Sequence, residues 1–126
     1  MKKLKLKVLP NKFSVCKLRA NYDYPKWAEN DIFYSITKTE DELSVVTLEN
    51  NVRVCPERED GWRIIKILGP LEFGMVGVVS KISSTLAVNR ISIFVISTFD
   101  TDYFLVKDEN MAKALKLLKY DYKIVE

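Results

Sequence analysis

Residues 91–118 read ISIFVISTFDTDYFLVKDENMAKALKLL, and the change of period inside this stretch decides the fold. Ile91 to Thr98 and Tyr103 to Lys107 have strand length and are rich in β-branched and aromatic residues, with a short polar turn between them. Directly afterwards the apolar spacing becomes helical. Met111, Leu115 and Leu118 share one face, Asp108 is expected as the N-cap with Glu109 in the first turn, and Lys113, Lys116 and Lys119 favour the negative C-terminal end.

Working outward, Trp62 to Leu68 is a strand closed by Gly69-Pro70. Phe73 to Val88 is a helix whose buried face is Met75, Val79, Ile82 and Leu86. A second stripe on it, Gly77, Ser80 and Ser84, is small enough to let a neighbour or a ligand come close. Tyr122 to Val125 adds a last short strand. The order over residues 62 to 126 is β-α-β-β-α-β, the ferredoxin-like plan, in which two helices lie on one face of an antiparallel sheet.

The first half echoes that plan with its helices cut to a turn. Leu4 to Leu9 and Phe13 to Leu18 are strands broken by Pro10-Asn11, and Pro25 opens a short turn over Lys26 to Glu29. Ile32 to Lys38 and Leu43 to Leu48 make a hairpin around Thr39-Glu40-Asp41-Glu42. Pro56 to Gly61 is the best candidate boundary. The expected fold class is α+β: two ferredoxin-like (βαββαβ) units, residues 1–60 and 61–126, the first with truncated helices.

Composition narrows the function. The 126 residues, 48% hydrophobic and 29% charged, suit a globular domain. No apolar run reaches membrane-span length, and MKKLKLKVLP lacks the apolar core of a secretory signal, so the expected location is cytoplasmic, with no membrane partner. The net charge of +3 is mild. Lys3, Lys5 and Lys7 alternate with Leu4, Leu6 and Val8, which reads as the wet face of a strand rather than a nucleic-acid patch. The chain has no histidine, which removes Ser-His-Asp and Cys-His catalysis and His-based metal sites. Cys16 and Cys55 lack a CxxC partner and read as reduced structural thiols.

Asp100 and Asp102 stand one residue apart in the turn at the centre of the opening stretch. As a catalytic dyad they lack any accompanying base, and as a metal site they lack further oxygen ligands. Turn chemistry comes first, because aspartate bonds locally to the backbone. A pocket wall comes second.

GWRIIKILGPLEF, VGVVSKISSTLAVNRISIFVISTFDTDYFLV and KDENMAKALKLL together resemble the ACT domain, in particular the small tandem-ACT proteins related to the CASTOR arginine sensors. KFSVCKL and FYSITKTEDELSVV resemble the first half of the same small proteins. The resemblance implies a non-catalytic, amino-acid-binding regulatory protein of two ACT-type units, without a cofactor, frequently a homodimer, with its ligand between ACT units. The alternative is a ligand-free dimerisation or protein-interaction module. By position the resemblance points to Gly69, Leu71, Phe73, Gly74, Met75 and Gly77, and to Ile96, Ser97, Thr98, Asp100 and Asp102. Two places depart from the family pattern. The linker Leu48 to Glu59 carries Arg53 and Cys55, and Val88-Asn89-Arg90 replaces an Ala-Gly-type turn, with Asn89 expected to take the left-handed conformation.

An amino acid is a zwitterion. Its carboxylate suits the unpaired N–H groups at a helix start, here Phe73 to Gly77, whose glycines serve either ligand approach or close packing. Its ammonium suits an acidic acceptor, and a basic amino acid would suit Asp100, Asp102 and Glu72.

Overall fold

The computed structural model describes residues 3–69 and 77–126. Its strands are β1 (Lys5–Val8), β2 (Phe13–Leu18), β3 (Ser35–Lys38), β4 (Leu43–Leu48), β5 (Glu57–Ile67), β6 (Ile93–Ser97), β7 (Asp102–Lys107) and β8 (Lys123–Val125). Its α-helices are α1 (Val78–Val88) and α2 (Asp108–Leu118), and short 3-10 turns cover Lys26–Ala28 and Glu49–Asn51. The protein is α+β. It divides into two compact units, Asn11–Trp62 and the pair of segments Met1–Pro10 with Arg63–Glu126.

In the Asn11–Trp62 unit the strand order is β3-β4-β2-β5. That is the βαββαβ order with 3-10 turns where helices would stand. The β3–β4 hairpin is pinned by its turn: Thr39 N donates to Glu42 O at 2.9 Å, and Thr39 Oγ1 accepts from Asp41 N and Glu42 N, both at 3.1 Å. Residues 57–61, read above as part of a boundary, are strand. They pair with β2 through Glu57↔Lys17, Arg58↔Cys16 and Glu59↔Val15. Their charged composition hides the strand, because this stretch is largely exposed and cross-strand pairing overrides propensity. A register shift follows before Trp62↔Phe13, where Gly61 sits at φ 81°. A β-carbon there would meet nothing within 4 Å, so the backbone conformation of the bulge, not crowding, selects glycine.

In the other unit β5 pairs with β1 and β7, β7 with β6, and β1 with β8, giving the order β6-β7-β5-β1-β8. The N-terminal strand, read above with the first half, therefore lies between β5 and β8. It is antiparallel to β5 and parallel to β8, so the sheet is mixed where an antiparallel one was expected. The insertion explains the change, because β8 keeps its direction and only its neighbour differs. Leu6, Val8, Ile65, Ile67, Phe104 and Val106 from the sheet meet Ile82 and Leu86 of α1 and Met111, Ala114 and Leu118 of α2 in one core. Arg63 donates to the Leu9 carbonyl through Nε at 3.2 Å and Nη2 at 3.0 Å, and its Nη1 lies 3.2 Å from Asp108 Oδ1.

Two terminal details differ from expectation. Lys107 caps α2 without a side-chain bond, and Asp108 falls in the first turn, where its charge still suits the helix dipole. At the end of α1 the left-handed residue is Arg90, φ 61°, and Asn89 stays at φ −95°. Arg90 N bonds Ala87 O and Ile91 N bonds Leu86 O, both at 2.9 Å, and buried Ile91 shares the core with Leu86. This is a full Schellman reversal, whose hydrogen-bond ladder fixes the left-handed position one residue later than Asn89.

Candidate functional site

The Schellman reversal sends the chain from α1 directly into β6. An 11-residue helix is about 16 Å long at about 1.5 Å per residue. The five residues of β6 run about the same length at about 3.3 Å each. Running back along β6, the start of α1 therefore comes level with the strand's end, where the 98–101 turn begins. Val78, Val79, Ile93 and Val95 all pack against the same core.

The turn is built by two threonines. Thr98 N donates to Thr101 O at 2.8 Å, Thr98 Oγ1 donates to the same carbonyl at 3.1 Å, and Thr101 N reaches Thr98 Oγ1 at 3.4 Å. Thr101 itself is buried and donates through Oγ1 to the Ile67 carbonyl at 2.6 Å. That bond ties the turn to the last residue of β5, two residues before Gly69. Thr101 was not among the residues expected at the site. Its signal in the sequence is the pair of threonines flanking Phe99-Asp100, since a hydroxyl at each end of a tight turn can substitute for backbone partners.

The remaining expected residues fall as follows. Gly69 is exposed beyond the end of β5, and Gly77 is exposed at φ 89° as the residue before α1. Among the described residues nothing lies within 4 Å of where a β-carbon on Gly77 would stand, and its positive φ is itself a reason for glycine there. Its carbonyl accepts from Lys81 N at 2.8 Å, while no side chain caps the helix. Ile96 is half-buried in β6, and Ser97, Thr98 and Asp100 are exposed. Ser97 Oγ donates to the Asp102 carboxylate across the Ser97↔Asp102 pair. This is a side-chain to side-chain bond across the hairpin, where turn chemistry would have the aspartate bond to the backbone. Leu71, Phe73, Gly74 and Met75, with Glu72, lie outside the described residues. Ser80 and Ser84 face away from the core, exposed.

Among the described residues no group of three or more Cys, Asp or Glu side chains could hold a metal ion. Both cysteines are buried and free. Burial, with Cys55 beside it, pushes the Cys16 thiol up to about 12. A thiol held protonated is a poor nucleophile, which suits a structural role. No helix among the described residues is long and apolar enough to cross a membrane.

The family model for the ACT domain matches residues 57–119, and a second model, for an N-terminal domain, matches residues 11–55. The chain belongs to the ACT domain family. A crystal structure of a protein from Agobacterium tumefaciens is 36% identical, superposes with a TM-score of 0.91, and is matched over 99% of this chain and 94% of that one. Aspartokinase III of E. coli shares the fold at a TM-score of 0.64 and 14% identity, over 94% of this chain and 32% of that one. The human protein named cytosolic arginine sensor for mTORC1 subunit 1 is 37% identical over 59 residues, 46% of this chain. The match spans only 18% of that curated relative's length. The ACT unit seen here places the end of β5, the start of α1 and the β6–β7 turn at one end of the sheet.

Proposed function

We propose that this ACT-domain chain is a regulatory protein that binds a free amino acid and catalyses no reaction. The observation that carries the reading is the Thr101–Ile67 bond. It holds an acidic turn beside the end of β5, the strand that precedes α1. The ammonium of a zwitterion would meet carbonyls and Asp100 of that turn, and its carboxylate the N–H groups at the helix start. Gly69, Gly77, Ile96, Ser97, Thr98, Asp100 and Asp102 form the described part of this proposed site. Leu71, Phe73, Gly74 and Met75 belong to it by the family resemblance. A second ACT unit would supply the opposite wall, and the working form would be a cytoplasmic homodimer. A basic amino acid suits the acidic turn, and the arginine in the name of the human relative supports that class. Binding would act by favouring one arrangement of ACT units, which a protein partner reads.

A second reading, a ligand-free interaction module, draws on Phe99, which is 81% exposed at the tip of the same turn. Differential scanning fluorimetry against the twenty amino acids separates the two. A ligand with a Kd near 10 μM, present at 1 mM, adds roughly 2.7 kcal/mol of stability. The expected result is a shift with arginine or lysine that Asp100→Ala and Thr101→Val both reduce. A flat response to all twenty would leave the interaction module.

A further inference from the structure

A second constellation of charge lies at the opposite edge of the Arg63–Glu126 unit's sheet and plays no part in the proposed amino-acid site. β1 alternates exposed Lys5 and Lys7 with buried Leu6 and Val8. Its registers set Lys5 opposite Lys123 on β8 and Lys7 opposite Lys66 on β5. Like charges placed directly across a strand pair repel and destabilise the sheet. Lys66 finds relief over the Tyr103 ring, 5.7 Å from its centroid. Lys3, Lys5 and Lys123 have no carboxylate partner among the described residues. The nearest acid in sequence, Asp121, is turned toward Lys81 at 3.6 Å. These same three lysines, with Tyr122, line a pocket of 490 Å³. Tyr122 is buried and belongs to the core of the same unit. That volume lies in the range of small-molecule sites.

We infer that this pocket binds the phosphate chain of a small oligophosphate. Three mobile lysines around one pocket can bring their ammonium groups to a ligand carrying several negative charges on closely spaced oxygens. A single carboxylate would leave most of the repulsion in place. Lysine suits this task as a mobile point charge, placed without the fixed fork geometry that arginine imposes. The ligand would also remove the cross-strand repulsion between β1 and β8, so binding and stabilisation of that edge are one event.

Isothermal titration of the whole chain with inorganic triphosphate, and separately with adenosine triphosphate, tests this. Saturable one-to-one binding is expected, weakening as sodium chloride is raised. Lys5→Gln with Lys123→Gln should weaken it at least tenfold, and Lys17→Gln, an exposed lysine of the other unit, should leave it unchanged. Equal affinities for the two probes assign recognition to the phosphate chain alone. Tighter adenosine triphosphate binding adds a role for the Tyr122 wall. The paired variant should also melt at a higher temperature than the parent without any ligand, since it removes a repulsion. Absence of saturable binding, or binding indifferent to the paired substitution, overturns the proposal. So does tight binding of a twenty-nucleotide polyuridylate with only millimolar affinity for triphosphate, because the lysines would then serve an extended polyanion.

Discussion

The two units follow one strand plan, with β1 inserted beside β8 in the second, yet that unit covers its sheet with two 11-residue helices and the other with 3-10 turns of three residues. The Arg63–Glu126 unit is held by apolar burial from α1 and α2 onto β1, β5 and β7. The Asn11–Trp62 unit has a smaller cluster, Cys16, Leu18, Ala28, Leu43, Val45 and Cys55, with Tyr22, Trp27, Ile36 and Val52 packed around it. It makes up the difference with polar fastening. Asn30 Nδ2 reaches the Ala28 and Phe33 carbonyls and Thr47 Oγ1 at 3.0–3.1 Å, while its Oδ1 accepts from Ile32 N and Phe33 N at 2.8 Å. Buried Thr47 donates to the Ala28 carbonyl at 2.6 Å, and Asn51 Nδ2 reaches the Trp27 and Glu29 carbonyls at 3.2 Å. One plan is thus stabilised in two ways, by apolar area where helices exist and by side-chain to backbone bonds where they do not.

The sharpest way to break this contrast is in the helical unit. Leu86 is fully buried at the C-terminal end of α1. Leu86→Ala should lower stability by about 2–5 kcal/mol through lost transfer energy and the cavity left behind, read by urea denaturation. A cost well under that range would mean the helices are not what holds the unit. In the turn-covered unit the equivalent blow is polar. Asn30→Ala strands several half-buried backbone groups and should cost about 2 kcal/mol. Asn30→Asp keeps the acceptor for Ile32 and Phe33 but loses the donors, so it should fall between parent and alanine. If alanine costs nothing, the polar fastening is an ornament of the loop and the contrast collapses.

The cysteines sharpen the contrast by pH. The folded state binds the Cys16 proton more tightly than the unfolded chain does, because burial raises its pKa to about 12 from 9.0. The stabilisation is complete below pH 9 and declines as pH rises from 9 toward 12. Replacing Cys16 by valine removes that component, so parent and variant should diverge in urea midpoint above pH 9 and run parallel below it. Parallel curves throughout would show that Cys16 ionises in the fold as it does in the open chain.

How much of this was legible in the sequence follows the same division. Where apolar periodicity sets structure, the sequence suffices: the period change after Lys107 marks α2, and Ile82 and Leu86 face the core. Where pairing or hydrogen bonds decide, it does not. Glu57 to Gly61 looks like a linker because its strand character comes from β2 across the ladder. The N-terminal strand's neighbours depend on Lys5↔Lys123 and Leu6↔Ile67, contacts between residues far apart in the chain. At the candidate site the Asp102 carboxylate was visible, but its partner Ser97 and the tether from Thr101 require the hairpin register. Local composition does not encode register; the buried face of each strand does.

The smallest effect probes the same distinction at a single residue. Among the described residues three take positive φ: Gly61, Gly77 and Arg90. Two use the residue without a β-carbon, and the third does not, although Arg90 occupies the left-handed position of a Schellman reversal. A side chain there costs about 1–2 kcal/mol. Replacing it by glycine relieves that strain but gives the unfolded chain more freedom, a loss of about 0.5–1 kcal/mol. Arg90→Gly should therefore stabilise the Arg63–Glu126 unit by about 0.5 kcal/mol, seen as a higher urea midpoint at unchanged slope. Arg90→Ala keeps the β-carbon and removes only the guanidinium, so it should show no gain. If both variants lose stability equally, the arginine side chain itself holds the turn. If only glycine gains, the hydrogen bonds of Arg90 and Ile91 to Ala87 and Leu86 impose the left-handed backbone against the preference of the residue that carries it.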